Sequence, residues 1–245
     1  IAVDITSSMA VLNVQGPNSR ALLQSLTPDD LSNEAFPFGT SREIDLGYAR
    51  VRASRVSYVG ELGFELYIPT ECAQDVFDVI VDAGPAFGLK LAGYHALNSL
   101  RLEKAYRHWG HDISPDENPI EAGLSFCVAW DKPGGFIGRE ALVAQKGGPV
   151  RQRLAQFALL DSDHLMYHNE PIWRDGVLVG RVTSGMFGHT IGVSIGMGYV
   201  DNGGAPVERD WVLAGNYEIE IAGERVPARV SMSAFYDPKS ERTRS

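Results

Sequence analysis

The chain has 245 residues, 44% of them hydrophobic and 22% charged, with a formal net charge of −9. That length buries a sizeable core, as one large domain or two smaller ones. The acidic balance argues against a surface for nucleic-acid backbones, which needs clustered Lys and Arg, and no apolar run approaches the ~20 residues of a membrane span.

The sequence opens on Ile1 rather than Met, in a strand-like stretch without a charged leader, and reads as a piece of something longer. Residues 9–14 read as a strand, and Pro17 suits the first position of a helix running to about Leu26. Residues 42–68 alternate as three strands, with Gly47 and Gly60 as turn or bulge points. Val76, Phe77, Val79, Ile80 and Ala83 form the stripe of an amphipathic helix that ends near Gly84-Pro85. A further helix is predicted from about Tyr94 to Tyr106. Pro133-Gly134-Gly135 and Gly147-Gly148-Pro149 are the clearest breaks. Beyond the second break the texture becomes short alternating segments. They are separated by Asp175-Gly176, Asn202-Gly203-Gly204 and Ala222-Gly223-Glu224, as in an all-β barrel or sandwich. Residues 237–245 read as a polar, frayed tail. The expected architecture is α+β: residues 1–149 form an antiparallel sheet with packed helices, and residues 150–245 form a β-barrel or jelly-roll-like domain. The two cysteines, Cys72 and Cys127, lack ligand-like spacing and read as small buried hydrophobes. So few cysteines suit a reducing compartment, the cytoplasm or the mitochondrial matrix.

The segment of most chemical interest is Tyr58-Val59-Gly60-Glu61-Leu62-Gly63-Phe64-Glu65-Leu66-Tyr67-Ile68. The glycines permit a sharp turn or close approach, and the alternation from Phe64 sets Glu65 opposite its apolar neighbours. A carboxylate there could accept paired N–H donors from a planar heterocycle that Tyr58 flanks. Taken by itself, a glycine-containing hairpin with a surface glutamate is the commoner reading.

The pattern Tyr-x-Gly-x-x-Gly-Phe-Glu resembles the signature of the glycine-cleavage T-protein (aminomethyltransferase) family. The resemblance continues at Val14-Gln15-Gly16-Pro17, Leu100-Arg101-Leu102-Glu103, Phe136-Ile137-Gly138-Arg139-Glu140-Ala141-Leu142, and Gly180-Arg181-Val182-Thr183-Ser184-Gly185 running to Gly198-Tyr199-Val200. The segment Tyr106-Arg107-His108-Trp109-Gly110-His111-Asp112 is similar to the folate-binding half of sarcosine and dimethylglycine dehydrogenases. Stand-alone T-proteins usually carry Tyr where this chain has Trp109.

The resemblance implies that tetrahydrofolate is the cofactor, with Tyr58 and Glu65 at its pterin region. Arg101 either lines the folate cavity or forms a structural ion pair or cap beside Glu103, and Trp109 either walls the cavity or belongs to the core. An upstream flavin domain, the place where FAD is expected, would oxidise an N-methyl amine, and this chain would trap the one-carbon unit as 5,10-methylenetetrahydrofolate. The family's aspartate thought to act on the folate amine would fall before residue 1, so no catalytic residue is assigned. Two rivals stay open: aminomethyl transfer in glycine cleavage, and a non-catalytic folate binder linked to iron–sulfur maintenance. The latter is disfavoured because Gly135 stands where its cysteine would fall.

Other constellations carry less. His108 and His111 lie beside Asp112 without a convincing third ligand, so no metal is expected. Asp112, Asp116, Glu117 and Glu121 read as a solvated acidic cluster in a Pro-containing loop. Phosphate-cradling, dinucleotide-binding and nucleophile-elbow motifs are absent from the sequence.

Overall fold

The computed structural model describes residues 1–245. Packing divides them into two units, Ile1–Leu97 with Lys239–Ser245, and Asn98–Pro238.

The first unit is built on four antiparallel strands: β1 (Met9–Gln15), β2 (Ser41–Leu46), β3 (Ala49–Ser54) and β4 (Gly63–Pro69), in the order β1-β4-β3-β2. Period-two alternation sorts their faces. In β3, Ala49, Val51 and Ala53 point inward while Arg50 and Arg52 point outward to Glu43 and Asp45. In β4, Phe64, Leu66 and Ile68 are fully buried, and Glu65 and Tyr67 lie half-buried on the opposite face. Helices α1 (Ser19–Gln24) and α2 (Ala73–Ala83) pack on this core through Leu22, Leu23, Val76 and Ile80.

Helix α1 starts later and ends earlier than the sequence suggests. Asn18 is its N-cap, so Pro17 lies in the turn that Gly16 opens, and Ser25 closes the helix by returning its hydroxyl to the Leu22 carbonyl. The predicted frayed tail is also corrected. Residues 241–244 form a short helical turn, Thr243 is buried, and the main-chain oxygens of Thr243 and Ser245 accept from Arg55. Polar composition concealed this docking because main-chain atoms carry it.

The division between units falls within helix α3 (Tyr94–Glu103). That helix stops short of Tyr106 because Ala105 adopts a positive φ of 52° and the Tyr106 N–H returns to the Arg101 carbonyl. Helix α4 (Arg139–Lys146) buries none of its residues. The second unit centres on a closed six-stranded barrel: β5 (Gln152–Leu159), β6 (Pro171–Arg174), β7 (Val177–Gly188), β8 (Val193–Asp201), β9 (Tyr217–Ile221) and β10 (Glu224–Ser231). The strands close in the order β10-β5-β8-β7-β6-β9 around Phe157, Ile172, Val182, Tyr217 and Ile219, and helix α5 (Arg209–Ala214) adds Val212.

Asp175-Gly176 forms the anticipated hairpin, with φ of 49° and 82°, the pair of positive values a two-residue turn needs. Gly180 and Gly198 serve another purpose. A Cβ on Gly180 would sit 1.9 Å from the Tyr199 carbonyl oxygen, and one on Gly198 would sit 2.5 Å from that of Arg181, so β7 and β8 close only over bare backbone. Between Val182 and Ser184 the β7–β8 register shifts by one residue, leaving Thr183 as the extra residue of a bulge.

Candidate functional site

In the first unit, Tyr58 lies half-buried in the bend before β4, and Glu65 sits on the half-exposed face of β4, opposite Asn13 of β1 and Ser54 of β3. The Tyr67 hydroxyl donates to Glu65 Oε2 at 2.8 Å, and that bond pushes the phenol pKa upward. Tyr67 thus fixes the carboxylate through one oxygen, Oε2. Gly63, at the start of β4, lies where a Cβ would require the end of the Gln15 side chain to move.

In the second unit, Arg101 is 3% exposed and its guanidinium is committed to local partners. Nη1 donates to Asp112 Oδ2 at 2.6 Å and to the Tyr106 carbonyl at 3.1 Å, Nη2 donates to Ser184 Oγ at 2.8 Å, and Nε to Asn98 Oδ1 at 3.3 Å. The structural-pair alternative for Arg101 therefore has a different partner from Glu103. Glu103 is buried elsewhere, accepting the main-chain N–H groups of Thr190 and Ile191.

Asp112, read from sequence as one member of a solvated cluster, is 1% exposed. Besides Arg101, its Oδ2 accepts the His108 N–H at 2.9 Å, its Oδ1 accepts the Thr183 hydroxyl at 2.5 Å, and its carbonyl accepts the Tyr199 hydroxyl at 2.9 Å. Such complete satisfaction is what allows a charge to stay buried. Burial pushes the Tyr199 phenol pKa well up, keeping it a donor. Asp116 is exposed, as expected of a solvated carboxylate, whereas Glu117 accepts the Ser114 N–H and hydroxyl, and the Asn118 side chain caps the N–H groups of Ile120 and Glu121.

Trp109 is 66% exposed, which removes the core alternative for this side chain. It sits at the crown of a tight loop closed by bonds from the Gly110 N–H to the Ile113 carbonyl and from the Asp112 N–H to the His108 carbonyl, each 2.8 Å. The flanking His108 and His111 rings lie 4.6 Å apart, and burial, then the neighbouring His111, lowers the His108 pKa toward the neutral form. Cys127 is exposed and Cys72 half-buried, so neither is the fully buried hydrophobe expected.

Arg101 and Trp109 are thus tied together through Asp112, while Tyr58 and Glu65 belong to the β4 region of the other unit. Asp112, Thr183, Ser184 and Tyr199 were not anticipated. Their signal was the motif Gly180–Gly185 with Tyr199, whose hydroxyl-bearing residues have no evident role in a barrel strand taken alone.

A sheet-and-helix unit and a closed antiparallel barrel, with Gly-x-x-Gly-Phe-Glu opening an inner strand and Thr-Ser on a barrel bulge, define a T-protein-like chain. The family profile described as the GCVT N-terminal domain matches residues 2–132, and that of the glycine cleavage T-protein C-terminal barrel domain matches residues 152–237. The chain belongs to the glycine cleavage T-protein family. It is 44% identical over 241 residues to 4-methylaminobutanoate oxidase (formaldehyde-forming) of Paenarthrobacter nicotinovorans, covering 98% of this chain and 28% of that protein. It is 42% identical over 243 residues to human mitochondrial sarcosine dehydrogenase, covering 99% of this chain and 26% of that protein. The crystal structure of the glycine cleavage system aminomethyltransferase T from Bartonella henselae aligns with a TM-score of 0.78 at 26% identity, over 94% of this chain and 60% of that one. The chain therefore spans about a quarter of the length of these curated relatives.

Proposed function

We propose that this chain is a tetrahydrofolate-binding module of a longer N-methyl amine dehydrogenase or oxidase, of the sarcosine or dimethylglycine dehydrogenase type. The observation that carries the reading is Glu65. Its carboxylate stands on the half-exposed face of β4 within the Tyr58–Glu65 motif, with Oε2 held by Tyr67. A carboxylate so fixed suits the paired N–H edge of a pterin, because a charge-assisted bond to a preoriented acceptor loses little freedom. Tyr58 is proposed as a neighbour of the ring, its aromatic face and polar tip suiting a heterocycle. Arg101 and Trp109 of the second unit are proposed separately as folate contacts, Arg101 through the one Nη2 hydrogen its local partners leave over.

When bound, tetrahydrofolate would supply two amines that capture a one-carbon electrophile as 5,10-methylenetetrahydrofolate. The residues named here bind and orient; the gain is proximity, since an oriented pair of reactants replaces a chance encounter. FAD and the amine-oxidising chemistry are assigned to protein outside these residues. One relative is named as forming formaldehyde and another as a sarcosine dehydrogenase, both consistent with one-carbon release by oxidation. We further propose a sequence-module boundary near residue 149, separating residues 1–149 from 150–245, and a mitochondrial matrix or cytoplasmic location. The boundary lies between the two family-profile matches and is distinct from the packing division within α3.

The test is a titration of the full chain with 5-formyltetrahydrofolate, followed by tryptophan fluorescence, beside Glu65→Gln. Saturable binding weakened about tenfold or more by the substitution is expected, the scale of one charge-assisted bond. Absence of binding by folded wild-type protein would overturn the folate reading, and binding indifferent to the substitution would remove Glu65 from it.

A further inference from the structure

The second unit spends two buried charges on one short loop. Asp112 Oδ2 takes the main-chain N–H of His108, which draws residues 108–112 into a closed turn, and it takes Arg101 Nη1 from helix α3 at the same atom. Oδ1 takes Thr183 from the bulge of β7, and the Asp112 carbonyl takes Tyr199 from β8. The bulge is essential to this geometry. Consecutive side chains of a regular strand face opposite ways, yet Thr183 bonds Asp112 while its neighbour Ser184 bonds Arg101. One inserted residue brings both hydroxyls to the same ion pair.

A loop that merely covered a barrel would not need charge. An apolar pair of similar volume stabilises a protein as well as a buried ion pair or better, because desolvating two charges offsets their attraction. Buried ion pairs are better suited to fixing one arrangement among several. Here the arrangement fixed is the crown of the loop, where Trp109 is held two-thirds exposed beside the mutually tilted rings of His108 and His111. A large aromatic surface held rigidly in the open suits a planar ligand ring, against which it stacks.

We propose that Asp112 is a positioning residue for a folate contact of the second unit: it locks the 106–113 loop so that Trp109 is presented in one fixed geometry to a planar ring. The inference rests on the folate reading and concerns the second unit alone. Asp112 itself touches no ligand and acts through Trp109.

The experiment uses the full chain in four forms: wild type, Asp112→Asn, Thr183→Val, and Ile219→Val as a barrel-core control remote from the loop. Each is also made with Trp109→Phe, so that the difference reports Trp109 alone. Asp112→Asn keeps the size of the side chain and removes its charge. It is expected to make Trp109 more accessible to acrylamide, to change its emission, and to weaken 5-formyltetrahydrofolate binding about tenfold. Thr183→Val leaves the ion pair in place and is expected to shift both readouts in the same direction by about threefold or less. Ile219→Val is expected to lower the melting temperature without moving either. If Asp112→Asn fails to fold, Thr183→Val carries the test. Wild-type affinity retained by variants whose Trp109 signal has changed would overturn the positioning role and leave the folate reading intact. An unchanged Trp109 signal would overturn the loop-locking claim whether or not folate binds. Absence of binding by wild type would sink the folate reading instead, while the Trp109 signal still decides the loop.

Discussion

Each unit buries an arginine, and the two are satisfied by different means. Arg101 of the second unit faces a carboxylate, Asp112, and hydroxyl and carbonyl acceptors complete its shell. Arg55 of the first unit is fully buried, and no Asp or Glu side chain is among its hydrogen-bond partners. Its acceptors are the Asn33 side chain at 3.0 Å and the main-chain oxygens of Phe36, Thr243 and Ser245, the last at 2.7 Å, with the Phe64 ring 5.5 Å away. Arg20 donates to the same Asn33 and Ser245 oxygens. Burial, then the neighbouring Arg20 charge, pushes the Arg55 pKa down. One cation is held by an aspartate side chain and the other by acceptors spread over distant segments. The first arrangement is rigid and vulnerable to loss of a single partner; the second distributes the cost.

That contrast can be broken most directly at Asp112. Asp112→Ala leaves Arg101 buried without its counter-charge and is expected to cost about 3–5 kcal/mol of stability, measured by urea unfolding. A loss below about 1 kcal/mol would place the pair among ordinary surface contacts. Arg55→Met removes a desolvated charge together with its bonds, so a smaller loss, about 1–3 kcal/mol, is expected. It should be accompanied by faster proteolysis of residues 239–245. Equal losses for the two substitutions would erase the distinction.

Alkaline unfolding sharpens the second unit further. Burial pushes the Tyr217 phenol up to about 12, and Tyr199 shifts in the same direction. An unfolded tyrosine titrates near 10, so between these values the folded state holds protons that the unfolded state has released. Stability contributed by the neutral phenols is complete below about pH 10 and declines as pH rises through the folded values. Tyr217→Phe should flatten that decline while changing stability at pH 7 by no more than about 1 kcal/mol; an unaltered alkaline limb would exclude Tyr217 as its source. The smallest effect is expected at Tyr67→Phe, which frees Glu65 Oε2 from its fixed donor. A loss of about 0.5–1 kcal/mol is expected, and folate affinity, read by the same fluorescence titration, should fall less than with Glu65→Gln.

Local signals were legible where they act locally. The alternation of β4, the stripe of α2 and the Asp175-Gly176 hairpin all stand where the sequence places them, because periodicity and turn chemistry need only near neighbours. The motif order likewise pointed to a sheet unit and a following barrel. What stayed hidden depends on separation along the chain. Asp112 and Thr183 are 71 residues apart, and nothing beside Asp112 in sequence distinguishes it from the solvated carboxylates around it. The tail was misread for a related reason: Arg55 grips the oxygen of Ser245 across 190 residues, and every residue has such an oxygen. Trp109 was assigned an alternative place in the core because it follows an amphipathic helix, but the tight loop it crowns leaves it exposed.

The bulge in β7 makes the length of this strand matter more than its composition. Substitutions that keep a hydroxyl at position 183 or 184 alter one bond, whereas removing any one residue between Gly180 and Gly185 would restore an even ladder with Val200 through Gly196. Such a deletion would leave the barrel's backbone pairing intact while turning one of the two hydroxyl positions toward the opposite side of the wall. Chains of this kind should therefore tolerate exchange of letters in this stretch far better than a change in their number, and selection for barrel closure alone would not reveal the difference.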